Sequence, residues 1–129
     1  MDNLHIAKTE KTPLIEFTNK GELRIEGRSV PENPIAFYER PITWLKNFIA
    51  NKPKEIIIHV CLYHFNTASS KILLDMLKLI EPLKTRGSVI NLYWYHEEDN
   101  PNMLDAGEDY ASIVKYPFHF VKLPQQQIN

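Results

Sequence analysis

The stretch Glu55-Ile56-Ile57-Ile58-His59-Val60-Cys61-Leu62-Tyr63 decides the fold. It is almost continuously apolar and rich in β-branched residues, as expected of a strand covered on both faces at the centre of an α/β sheet. A polar segment, His64 to Ser70, follows it. Beyond that, Leu73, Met76, Leu77, Ile80 and Leu83 recur at helical spacing, predicting a long helix to about Arg86 that Gly87 ends.

Downstream, Ser88 to Tyr95 is a second apolar strand, and the acidic stretch His96 to Asp109 is expected to be loop-like. A short helix over about Leu104 to Lys115, a final strand from Phe118 to Leu123 and a flexible tail, 124–129, complete this side. Upstream, Asn33-Pro34 opens a helix over about residues 34–50, with an N-cap side chain and a proline in the first turn. Pro41 lies inside it and predicts a kink or a restart. Before that, Pro13–Thr18 and Glu22–Glu26 flank Asn19-Lys20-Gly21 as a hairpin, and Leu4 to Ala7 is a further short strand. The stretch from Gly27 to Asn33 is read as a loop. The order implies an α/β (α+β) fold, one domain over 1–129. Its mixed sheet has about six strands, packed by two main helices and a short third.

At 129 residues the chain needs no metal or disulfide to complete a core. A net charge of −1, with lysine and arginine scattered, argues against a nucleic-acid partner. The single cysteine, Cys61, excludes an internal disulfide and suits a reducing compartment. No apolar stretch resembles a signal peptide at Met1 to Glu10, and none reaches the roughly 18 residues of a membrane span, so the expected location is the cytoplasm.

Signatures of catalysis are weak. The four glycines form no phosphate-binding pattern. His59 and Cys61 share one face of their strand, but a buried thiol there is inert. His96, Glu97, Glu98 and Asp99, with Asp105, Glu108 and Asp109 behind them, supply enough oxygen to suggest a hard cation and a small metal-dependent hydrolase. Calcium-loop spacing fails, because Pro101 stands where the second ligand belongs. The expectation is no metal, no cofactor and a partner-facing or solvated acidic surface.

Asn66-Thr67-Ala68-Ser69-Ser70-Lys71 is more informative. It lies between a buried strand and an amphipathic helix, so Asn66 or Thr67 can cap the first turn. Four hydroxyl or amide side chains in five positions exceed what a cap needs. A helix N-terminus also tolerates an added anion, so a phosphate is compatible with the fold.

The segment Leu62-Tyr63-His64-Phe65-Asn66-Thr67-Ala68-Ser69-Ser70-Lys71 resembles the phosphoacceptor motif of the SiaC family of bacterial regulatory phosphoproteins. So do Thr9-Glu10-Lys11-Thr12-Pro13, Gly27-Arg28-Ser29-Val30-Pro31-Glu32-Asn33, Phe37-Tyr38 and Trp94-Tyr95-His96-Glu97-Glu98-Asp99 leading to Gly107-Glu108-Asp109. These blocks run in order over nearly the whole chain. Val30 departs from a usual aromatic and Ala68 from a frequent serine. The resemblance implies a STAS-like fold and a non-enzymatic partner switch with Thr67 as acceptor. By that resemblance a dedicated kinase would add the phosphate and a PP2C-type phosphatase would remove it. The unphosphorylated form would then activate a diguanylate cyclase, in cyclic-di-GMP signalling and biofilm formation. Asn66, Ser69, Ser70 and Lys71 would shape the contact surface, and Glu32 and Asn33 would add to it.

Overall fold

The computed structural model describes residues 1–124, so the predicted tail lies, but for Pro124, outside the described residues. The elements run β1 (Leu4–Ile6), β2 (Leu14–Phe17), β3 (Glu22–Ser29), α1 (Pro34–Ala50), β4 (Glu55–Phe65) and α2 (Thr67–Leu79). They continue through α3 (Pro82–Thr85), β5 (Val89–Glu97), α4 (Pro101–Ile113) and β6 (Phe118–Leu123). All six strands form one mixed sheet in the order β1-β2-β3-β4-β5-β6. The first three pair antiparallel, with the expected hairpin between β2 and β3, while β3 to β6 pair parallel.

That order determines how the sheet is covered. Each parallel step moves to the next strand in the same direction, and such crossovers are right-handed. Successive steps of one hand and one direction place every connecting helix on the same face. Burial agrees: on β4, Ile56, Ile58, Val60 and Leu62 are buried, whereas Ile57, His59 and Cys61 are half-buried and Tyr63 is exposed. The strand is therefore covered on one face, not two. Its open side is shielded laterally, by His59 stacked on Tyr93 and Tyr93 stacked on His119, with ring centroids 5.5 and 4.9 Å apart.

The core lies between sheet and helices. From α1 it receives Tyr38, Trp44, Leu45 and Phe48, and from α2 Leu73, Met76 and Leu77. Trp44 stacks on Phe48 and meets Phe17 of β2. On the other flank Trp94, fully buried, lies beneath α4 and donates its ring N–H to the carbonyl of Met103 at 2.9 Å. A Cβ added to Gly107 would stand 2.5 Å from that indole nitrogen, so only glycine lets α4 approach so closely.

Several element boundaries differ from the sequence reading. Helix α1 runs uninterrupted through Pro41. Pro41 is buried, and Tyr38, Trp44 and Leu45 pin the helix to the core on both sides of the lost hydrogen bond. The long helix after β4 is divided, because Pro82 cannot continue α2 and instead opens the single turn α3. As expected, Gly87 ends that turn, with φ of 92°. Strands β3 and β4 extend further than expected, to Ser29 and Phe65. Helix α4 begins at Pro101, where Asn100 caps it by accepting the Met103 amide at 3.2 Å. Much of the predicted acidic loop is thus helical, and Asp105, Glu108 and Asp109 are exposed on that helix.

Candidate regulatory site

Parallel strands bring the C-terminal ends of β3, β4 and β5 to one edge of the sheet, and the starts of α1, α2 and α4 follow them there. The residues singled out around Thr67 and in the Glu32–Asn33 loop belong to this edge.

Asn66 is the cap of α2. Its backbone is extended (φ −83°, ψ 173°) and its Oδ1 accepts the Ser69 amide hydrogen at 2.9 Å. Its own N–H donates to the Ser29 carbonyl at 3.1 Å, which ties the start of α2 to the end of β3. Thr67, the first helical residue, is exposed, and its hydroxyl has no hydrogen-bond partner among the described residues.

Ser69 points inward. It is fully buried, and its Oγ accepts a hydrogen bond from Ser29 Oγ at 2.9 Å. Ser29 lies 2.5 Å from the Tyr38 hydroxyl of α1. With the Ser29 proton given to Ser69, Tyr38 is left to donate to Ser29. Burial pushes the Tyr38 phenol up to about 12, so it keeps the proton it must donate. On the other side Tyr110 of α4 donates to the Ser70 carbonyl at 2.5 Å and accepts from Ser70 Oγ at 2.8 Å. Burial likewise raises Tyr110 to about 12. The first turn of α2 is therefore held from both flanks by neutral hydroxyl bonds.

Of the polar residues in the motif, Asn66 caps, Ser69 and Ser70 anchor, and Thr67 is left free. Lys71, one turn on, is exposed, and together with Phe65, Asn66, Thr67, Ser70 and Leu74 it lines an open depression of about 420 Å³. Ser69, expected at the contact surface, is not a surface residue. Asn33 is exposed but caps α1, accepting the Ala36 amide at 3.1 Å. Glu32 is exposed and faces Lys11 at 3.7 Å.

Two features of this edge escaped the sequence. Ile35, in the first turn of α1, is 77% exposed, and Tyr63 at the end of β4 is 36% exposed. An apolar residue directly after Asn33-Pro34 is the signal that could have flagged the first. The Ser29–Tyr38–Ser69 bonds had no local signal, since they join residues up to 40 positions apart.

The acidic segment does not assemble a metal site. Glu98 pairs with Lys122 at 3.6 Å, and His96 and Glu97 close β5. Among the described residues no three His, Cys, Asp or Glu side chains converge to hold an ion. Cys61 and His59 share a face as expected, but both are half-buried and not enclosed. His59 is engaged by the Tyr95 hydroxyl at 2.9 Å and Glu22 at 3.4 Å. Burial, then the Glu26 carboxylate, pushes the Cys61 thiol up, which disfavours its reactive form. No described helix is long and apolar enough to cross a membrane.

Residues 6–123 match the model of the SiaC family regulatory phosphoprotein. The chain belongs to the SiaC family. It is 29% identical over 119 residues to an uncharacterized protein of Pseudomonas aeruginosa strain UCBPP-PA14, covering 92% of this chain and 94% of that one. Its fold is similar to SiaC of Pseudomonas aeruginosa, with a TM-score of 0.87 at 27% identity, covering 95% of this chain and 100% of that one. A crystal structure of the diguanylate cyclase SiaD in complex with its activator SiaC, from Pseudomonas aeruginosa, matches with a TM-score of 0.87 at 28% identity. That match covers 93% of this chain and 99% of the other. As a member of this family the protein is a regulatory phosphoprotein and not an enzyme.

Proposed function

We propose that this SiaC-family protein is a partner switch controlled at Thr67, whose unphosphorylated form binds and activates a diguanylate cyclase in the cytoplasm. A protein kinase adds the phosphate and a PP2C-type phosphatase removes it. The observation that carries the reading is the unpartnered Thr67 hydroxyl: Asn66 does the capping, so Thr67 is exposed at the helix start without a structural task. The effector class rests on the similarity to a SiaC seen in complex with a diguanylate cyclase.

The chemistry of the edge suits such a switch. A phosphate of about −1.5 to −2 charges at the first helical residue meets the positive end of the helix dipole, worth roughly 0.3–1 kcal/mol. Lys71 is four residues on, within reach of an i,i+4 pair. The fold therefore tolerates the modification. A docking partner does not: covering an unpaired phosphate costs several kcal/mol, and each 1.4 kcal/mol is about tenfold in affinity. The docking surface comprises Asn66, Ser70 and Lys71, supported from below by Ser69, with Glu32 and Asn33 from the neighbouring loop.

Fragment mass spectra of the protein isolated from its native cell test this directly. Phosphate is expected on Thr67, with cyclase stimulation lost in the phosphorylated form. Phosphate confined to Thr9, Thr12 or Ser29 would exclude the assignment.

A further inference from the structure

Three sequence blocks, Thr9–Pro13, Gly27–Asn33 and Leu62–Lys71, meet in the folded chain, and the Thr67 switch uses mainly the last. Where the first two meet Tyr63 of the third there is a cleft of about 580 Å³, lined chiefly by Lys8, Glu10, Lys11, Gly27, Arg28 and Tyr63.

Each wall of this cleft is built by a local device. The turn carrying Lys11 is held by Thr9 Oγ1, which accepts the amides of Lys11 at 3.2 Å and Thr12 at 3.0 Å. The turn is fastened to the end of β3 by the Val30 amide, which donates to the Lys11 carbonyl at 2.8 Å. Gly27 has φ of 118°, and a Cβ there would stand 2.8 Å from Cδ of Lys8, so the lysine stem lies directly over the strand. The β3–β4 register then slips: Gly27 pairs with Leu62 but Arg28 with His64, leaving Tyr63 as the extra residue of a bulge. Bulges re-aim side chains. Here the freed Tyr63 carbonyl accepts from Asn100 Nδ2 at 3.1 Å, and the Tyr63 ring borders the cleft.

The charge of the cleft is at odds with that of the chain. Three cations face one carboxylate, Glu10, in a protein of net charge −1. Among the described residues Lys8 and Arg28 have no ion-pair partner, and the Lys11–Glu32 pair, 3.7 Å apart, is open to solvent. Lys8 and Arg28, without an ion-pair partner among the described residues, and Lys11, whose pair with Glu32 is open to solvent, line one cleft that can take an anion, and arginine suits phosphate in particular. The volume lies within the roughly 300–1,000 Å³ of small-molecule pockets, and the aromatic wall offers a planar surface.

We propose that this cleft binds a nucleotide, its phosphates on Lys8, Lys11 and Arg28 and its base against Tyr63. The site is independent of the Thr67 switch, and either stands without the other.

Amide NMR titration of the full chain with GDP, inorganic pyrophosphate and guanosine tests the assignment. GDP at millimolar concentration is expected to shift the amides of Thr9–Lys11, Gly27, Arg28 and Tyr63 saturably, and pyrophosphate the same set more weakly. Lys8→Gln with Arg28→Gln should weaken GDP by about tenfold or more, as removal of charge-assisted bonds predicts. Tyr63→Leu should weaken GDP while leaving pyrophosphate unchanged, and Thr67→Ala should change neither. Circular dichroism checks that the variants are folded. Equal affinity for pyrophosphate and GDP would overturn the nucleotide assignment. Absence of saturable shifts, insensitivity to the Lys8 and Arg28 changes, or tighter binding of a polyglutamate peptide would overturn the site as a small-molecule pocket.

Discussion

Asn66 Oδ1 accepts the Ser69 amide hydrogen at 2.9 Å, and that bond gives the capping of α2 to Asn66 and leaves the exposed Thr67 without it. One neighbour caps, and the other presents a free hydroxyl. The two residues should therefore respond differently to the same substitution. Asn66→Ala is expected to cost about 0.5–2 kcal/mol, the range for a lost N-cap. Thr67→Ala should stay within about 0.5 kcal/mol, as for exposed sites without partners. Urea denaturation of both variants reads the difference; a larger loss for Thr67→Ala would make the hydroxyl structural.

Phosphorylation of Thr67 should act locally. The turn beneath it is held by Ser29, Tyr38 and Tyr110 through buried or half-buried hydroxyls, and α2 is pinned by Leu73, Met76 and Leu77. A turn so fixed has no second packing to adopt. Amide shifts on phosphorylation are expected near residues 65–71 and the adjoining loops. Large changes at the Asn19–Gly21 turn or along β6 would show a global rearrangement.

Gly107→Ala should be costly despite alanine's better helix propensity. The added methyl would sit 2.5–2.8 Å from three atoms of the buried Trp94 ring, and the indole is fixed by its bond to Met103. Overpacking of this kind costs about 1–3 kcal/mol. Thermal denaturation measures the loss, and altered near-ultraviolet circular dichroism should accompany it. An unchanged melting temperature would mean that α4 shifts freely.

His59 should make stability sensitive to mild acid. Its pKa lies below the ordinary 6.5 because burial, then the nearby Arg24, disfavours the imidazolium; Glu22 opposes this in part. Tyr95 and Tyr93 pack on the ring from β5. A base with a depressed folded-state pKa binds protons more readily when unfolded. Its contribution is thus fully present above pH 6.5 and is lost as pH falls through the lower folded value. Denaturation midpoints below pH 6.5 should fall less in His59→Gln than in the parent chain. Equal slopes would remove His59 from the acid response.

The local signals in the chain were sufficient for the type of its main elements, though not for all their boundaries. Alternation at Leu23 and Ile25, the apolar run from Ile56 to Leu62 and the spacing of Leu73, Met76 and Leu77 each imply one kind of backbone, and each is found. The position of Thr67 at a strand-to-helix junction follows equally from the sequence. Four matters were left to tertiary structure. An apolar strand reads alike whether helices cover one face or two, and only the strand order, with its repeated crossovers in one direction, opened the far face of β4. Pro41 predicts a break locally, but buried neighbours on either side held α1 together. Asn66 and Thr67 both carry an oxygen able to cap, and the extended backbone at Asn66 chose between them. Ser69 went inward because Ser29, 40 residues earlier, supplies its partner. A hydrogen bond between distant positions leaves no periodicity in the sequence, so only the folded chain reveals it.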